Sequence, residues 1–107
     1  MELNLKVISK DINRLMWDKE KTISTAESCS AGRIATILTV PAGSSDYFKG
    51  GLVCYTDELK TKYLNVSADL IAEKSAVNEE VAKQMVLGAI TLFGSDYGIA
   101  VTGFAGP

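Results

Sequence analysis

A chain of 107 residues, 47% hydrophobic and 22% charged, has the composition of one ordinary globular domain spanning residues 1–107, long enough to bury a core and too short for two. Its net charge of -2 argues against nucleic acid as a main partner, because binding a phosphate backbone needs a basic surface. No apolar run reaches membrane-spanning length, and the opening Met1-Glu2-Leu3-Asn4-Leu5-Lys6 has no signal-peptide core, so a cytoplasmic protein with no membrane partner is expected.

Leu5, Ile8, Ile12, Leu15 and Met16 recur at helical spacing, with charged residues between them, which predicts an amphipathic first helix closed by Trp17. Lys19-Glu20-Lys21 is a polar turn. Thr22, Ile23 and Thr25 open a β-prone stretch that gives way to five small residues, Ser28 to Gly32, and then to a helical pattern through Ile34, Ala35, Ile37 and Leu38. That helix ends before Pro41. Pro41-Ala-Gly-Ser-Ser45 is a second small-residue turn, whose backbone N–H groups suit an anion but whose composition also fits a plain connection. Gly50 to Thr56 reads as a second strand, and Asp57 as the cap of a short helix through Lys60 and Leu64. Ser67 opens another short helix, and Asn78 caps a longer one with Val81, Met85, Ala89 and Leu92 as its buried stripe and Gly94 at its end. Tyr97 to Gly103 is a third strand, expected to be buried on both faces. The alternation of strands and helices implies a layered α/β domain with a largely parallel sheet. A third strand followed only by Gly103-Phe-Ala-Gly-Pro107 leaves a bare sheet edge, so truncation or completion by another chain is expected.

The strand-turn-helix at Ser28 to Gly32 is where chemistry is most plausible. It lifts hydroxyls from the end of a sheet and aims the N–H groups of a helix N-terminus above it, a geometry that suits attack on a carbonyl. Ser28 and Ser30 are both candidates. Most such junctions are architecture alone, since serine is a preferred N-cap. The chain contains no histidine. Any base is therefore Lys, Asp, Glu or Tyr, and Ser-His and Cys-His mechanisms are excluded within the chain. Cys29 and Cys54 have no metal or redox spacing and read as small buried hydrophobes. No metal and no cofactor is expected. Lys60 is a surface charge by default, and a base if it faces a desolvated crevice; Tyr55 is likewise a core aromatic unless its hydroxyl reaches that crevice.

Thr25-Ala-Glu-Ser-Cys-Ser-Ala-Gly32, Ala42-Gly-Ser-Ser45, Tyr55-Thr-Asp-Glu-Leu-Lys60, Ala76-Val-Asn-Glu-Glu-Val-Ala82 and Val101-Thr-Gly-Phe-Ala-Gly-Pro107 together resemble, in order and spacing, the C-terminal domain of the CinA family, which includes the PncC nicotinamide-nucleotide amidases. The resemblance covers Leu5 to Pro107. It implies a three-layer α/β/α sandwich on a mixed, mostly parallel sheet, lacking the last strands of the family fold. It implies hydrolysis of the carboxamide of nicotinamide mononucleotide to nicotinate mononucleotide and ammonia, in pyridine nucleotide salvage. Ser28 becomes the nucleophile, Lys60 the base and Tyr55 an assisting hydroxyl. Substrate contacts fall on Ser30 and Gly32, on Ser44 and Ser45, and on Thr102, Gly103, Ala105 and Gly106. The implied partner is a small nucleotide, and a homodimer is the expected assembly. The chain departs from the family at Ala31, where members usually carry Gly, and at Asp57, where Asn is frequent. The alternative reading is a nucleotide-binding or interaction module without activity.

Overall fold

The computed structural model describes residues 4–104. Helix α1 (Leu5–Lys19) begins at Asn4, whose side chain accepts from the N–H groups of Lys6 and Val7, and ends at Glu20 in the left-handed region. Strand β1 (Ile23–Glu27) leads through the Ser28–Gly32 turn into the short helix α2 (Arg33–Leu38). A single 3-10 turn, Ser44–Asp46, precedes strand β2 (Phe48–Val53); helices α3 (Asp57–Leu64), α4 (Ala68–Lys74) and α5 (Glu79–Phe93) follow, and strand β3 (Tyr97–Val101) comes last.

The three strands are parallel in the order β2-β1-β3, with β1 central. Every residue of β1 is buried. Side chains alternate across a strand, and the two hydrophobic clusters follow that alternation. Ile23, Phe48 and Ile99 pack with Met16, Leu38 and Tyr47 beneath α1 and α2. Ala26, Leu52 and Ala100 pack with Leu64, Val81, Met85 and Ala89 beneath α3 and α5. The result is the expected three-layer α/β/α arrangement, with helices on both faces of a parallel sheet. The α3–α5 contact is close enough to need glycine: a Cβ on Gly88 falls 2.2 Å from the Leu64 carbonyl oxygen.

Several expectations need correction. Strand β3 lies at an edge of the described sheet, so its residues are half-buried or exposed instead of covered on both faces. Leu92 is 52% exposed and lies outside the buried stripe of α5, which consists of Val81, Met85 and Ala89. On α1, Leu5, Leu15 and Trp17 are exposed, whereas Met16 is buried and Ser9 is buried with its hydroxyl donated to the Lys6 carbonyl. The cap of α3 is Thr56, whose Oγ1 accepts from the Leu59 N–H at 3.4 Å, and Asp57 is the first helical residue.

Candidate active site

Parallel strands bring their C-terminal ends to one side of the sheet, where the loops that follow them meet. Here those loops are Ser28–Gly32 after β1, Cys54–Thr56 after β2, and Thr102–Phe104 after β3. Backbone hydrogen bonds lock the first to the other two: the Ser28 N–H donates to Val101 O at 3.1 Å, and the Cys54 N–H donates to Glu27 O at 2.8 Å.

Ser28 and Lys60 converge on one atom. The Ser28 hydroxyl donates to the Tyr55 carbonyl oxygen at 3.4 Å, and the Lys60 Nζ donates to the same oxygen at 3.2 Å. Both side chains are out of solvent, at 6% and 2% exposure. Lys60 sits in the first turn of α3 and is buried. Burial pushes the Cys54 thiol above its ordinary range, and the nearby Lys60 charge only partly offsets that. The second partner of Lys60 is Asp57, whose carboxylate lies 3.7 Å from Nζ and is itself 61% exposed. Tyr55 contributes its carbonyl to this cluster, while the residue as a whole is 55% exposed.

The turn carrying Ser28 is tightly closed. The Ala31 N–H donates to Ser28 O and the Arg33 N–H to Ser30 O, each at 3.1 Å. Ala31 and Gly32 both adopt left-handed backbone, at φ 50° and φ 94°. Gly32 suits that conformation, but an alanine there costs about 1 kcal/mol or more. We predict that Ala31→Gly stabilises the protein by about 1 kcal/mol, raising Tm by about 4 °C or more in thermal unfolding.

Glu27, which the sequence reading left without a role, is the unexpected member of the site. Its carboxylate accepts from the Ser30 hydroxyl at 2.7 Å, the Ile34 N–H at 2.9 Å and the Ala35 N–H at 3.0 Å. Burial alone pushes this carboxyl up, but these hydrogen bonds outweigh it and hold the group below its ordinary value of 4.5. The sign follows: its stabilisation is present in full above the ordinary carboxylate range and is lost as pH falls through the lowered folded value. The signal available in the sequence was an acid at the end of a buried strand, six residues before the first residue of a helix whose cap position is glycine.

This arrangement changes two expected roles. The N–H groups at the start of α2 are taken by Glu27 and are not open to a substrate oxygen. Within the turn, the N–H groups of Cys29, Ser30 and Gly32 have no acceptor among the described residues. Ser30 donates its proton to Glu27, so of the two candidate hydroxyls only Ser28 faces Lys60's partner atom.

Thr102 and Gly103 follow β3, at the same end of the sheet as Ser28. Thr102 Oγ1 is tied to Ala76 O at 2.9 Å, and Gly103 lies over Cys29, with a Cβ there meeting Sγ at 3.3 Å. Ala105 and Gly106 lie outside the described residues. Ser44 and Ser45 do not join the Ser28 site. They precede β2, whose first residue pairs with Ile23 at the start of β1, so they occupy the opposite end of the sheet. A strand of this length separates the two ends by about 16 Å. The Ser44 hydroxyl instead donates to Thr39 O. Within one chain, the expected phosphate contact at Ser44–Ser45 is therefore not part of the Ser28 site.

Comparison with known proteins agrees with this architecture. The family model for the CinA C-terminal domain matches residues 5–107. A CinA-like protein of Mycolicibacterium gilvum is 53% identical over 87 residues, covering 81% of this chain and 21% of the relative. One from Leptospira borgpetersenii serovar Hardjo-bovis is 45% identical over 100 residues, covering 94% and 24%. Among solved structures, a competence-damaged protein (CinA) superfamily protein of Escherichia coli aligns with a TM-score of 0.94 at 32% identity, covering 100% of this chain and 64% of that one. The competence damage-inducible protein A of Klebsiella pneumoniae aligns with a TM-score of 0.95 at 34% identity, covering 98% and 65%. The chain belongs to the CinA C-terminal domain family. It spans less than a quarter of the length of these curated relatives and about two thirds of these solved chains.

Proposed function

We propose that this chain carries the site of a nicotinamide-nucleotide amidase, hydrolysing the carboxamide of nicotinamide mononucleotide to nicotinate mononucleotide and ammonia. The observation that supports it is the convergence of a buried serine hydroxyl and a buried lysine amine on the Tyr55 carbonyl, in a chain without histidine. In this reading unprotonated Lys60 takes the proton of Ser28 Oγ as the oxygen attacks the carboxamide carbon. The resulting oxyanion lies against the N–H groups of Cys29 and Ser30. Lys60 returns the proton to the nitrogen, assisted by the Tyr55 hydroxyl, and the C–N bond breaks to release ammonia. Water then enters, gives a proton to Lys60 and attacks the acyl carbon; Lys60 passes that proton to Ser28 Oγ as the ester C–O bond breaks, and the acid product leaves as the carboxylate, its proton going to solvent. Gly32, Thr102 and Gly103 serve as substrate contacts in this reading. Ammonia release from the mononucleotide tests the reaction, and saturable binding with no ammonia would overturn it.

The same reading sets the reaction in cytoplasmic pyridine nucleotide salvage, carried out by a homodimer. Light scattering should give twice the chain mass, and a strict monomer contradicts the assembly.

One observation favours a second reading, a nucleotide-binding or interaction module without chemistry. Lys60 donates to Tyr55 O and is ion-paired with Asp57, so its amine is engaged as a donor when a base must accept. Under that reading the mononucleotide binds and no ammonia appears.

A further inference from the structure

We infer that Glu27 is the positioning residue of the Ser28 turn: its carboxylate clamps Ser30 and the start of α2 together and thereby fixes where Ser28 points. The inference deepens the amidase reading and rests on it.

Three observations carry it. First, Glu27 is 1% exposed and takes part in neither of the two ion pairs among the described residues, so hydrogen-bond donors alone compensate the charge. Burying a carboxylate in this way is costly, and the cluster on this face of the sheet is built on Met16, Ile23, Leu38 and Tyr47. Second, the clamp is not a local cap. The cap residue of α2 is Gly32, which supplies no side chain, and the acceptor comes from the adjacent strand, seven and eight residues before the N–H groups it satisfies. An acceptor placed at position 32 would serve the helix alone, whereas Glu27 closes the whole Ser28–Gly32 segment into a ring. Third, the ring has only one loosely held member. Ser30 is fixed by Glu27, and Ser28 is fixed through its N–H on Val101 O, but the Ser28 hydroxyl makes only the 3.4 Å contact to Tyr55 O. Its orientation is set by the backbone that Glu27 holds.

A lowered carboxyl is a weak base, so Glu27 does not activate Ser30 as a rival nucleophile. Its chemistry is that of an acceptor held in place.

The test compares wild type, Glu27→Gln and Ser30→Ala in steady-state hydrolysis of nicotinamide mononucleotide, below the melting temperature of all three. Glu27→Gln keeps the shape but sets an amide NH2 against N–H donors. We expect kcat to fall about 100-fold, with KM changed less than about threefold, because a displacement near 1 Å at the reacting atom costs about that much. Ser30→Ala removes one arm of the clamp and should lower kcat about tenfold with KM unchanged. Wild-type kcat in folded Glu27→Gln overturns the inference and leaves the amidase reading standing. If Glu27→Gln does not fold, Ser30→Ala decides: a raised KM at unchanged kcat makes Ser30 a substrate contact and overturns the clamp. If the wild type releases no ammonia, the amidase reading fails separately, and labelling of Ser28 by a fluorophosphonate carries the comparison. Slower labelling in both variants supports the clamp; equal labelling, or none in the wild type, overturns it.

Discussion

Replacing Ser28 by Ala should lower the turnover of nicotinamide mononucleotide by about a thousandfold or more and leave the fold unchanged. Loss of a nucleophile in a serine hydrolase removes the covalent route altogether, so the effect is larger than for any residue that only assists. The fold should be indifferent because the Ser28 side chain makes one long hydrogen bond, to Tyr55 O at 3.4 Å, and its backbone N–H bond to Val101 O survives the substitution. Tm within about 3 °C of wild type is expected, since an exchange that loses one weak hydrogen bond costs about 0.5 kcal/mol. Retention of turnover in Ser28→Ala would move the nucleophile elsewhere.

The second large effect is expected at Lys60. Lys60→Met keeps the length of the stem and removes the amine, which should reduce kcat about a thousandfold, within the range by which a general base contributes. Its stability should change little: replacing a buried charge by an apolar side chain of similar volume is often neutral or stabilising, and Asp57 is exposed enough to be solvated alone. Lys60→Arg separates charge from proton transfer. A guanidinium keeps the positive charge and cannot act as a base, so Lys60→Arg should be as inactive as Lys60→Met. An active Lys60→Arg enzyme would show that the residue acts as a fixed cation.

How much of this was legible in the sequence depends on the range of the interaction involved. The elements were readable because capping and periodicity are local: Asn78 before Glu79-Glu80 and Gly94 after Phe93 bracket α5 as its sequence indicates. The layering was readable because strands and helices alternate along the chain, which places helices against a largely parallel sheet. Leu92 was misread because helical spacing marks a stripe but not its width, and the fully buried residues of α5 are Val81, Met85 and Ala89.

The site was legible only in part. Residues at the C-terminal ends of parallel strands meet whatever their separation in sequence, which is how Ser28, Tyr55 and Thr102 come together. The burial of Lys60, at 2% exposure, had no local signal, because it depends on how α3 packs in the fold. Ser44 and Ser45 looked equivalent to the Ser28 turn in composition. Only the parallel register, with Phe48 opposite Ile23, places them at the other end of the sheet. Glu27 was hidden for the opposite reason: its partners are close in sequence, but an acid ending a buried strand has no standard reading until the helix beside it is seen to lack a cap of its own.

The most direct test of the Ser28–Lys60 account is the intact mass of the protein quenched in acid during turnover of nicotinamide mononucleotide, followed by peptide mapping. The account predicts a nicotinoyl-nucleotide ester on the peptide containing Ser28, absent from Ser28→Ala. Ammonia release with no covalent adduct, or an adduct on Ser30, would contradict it.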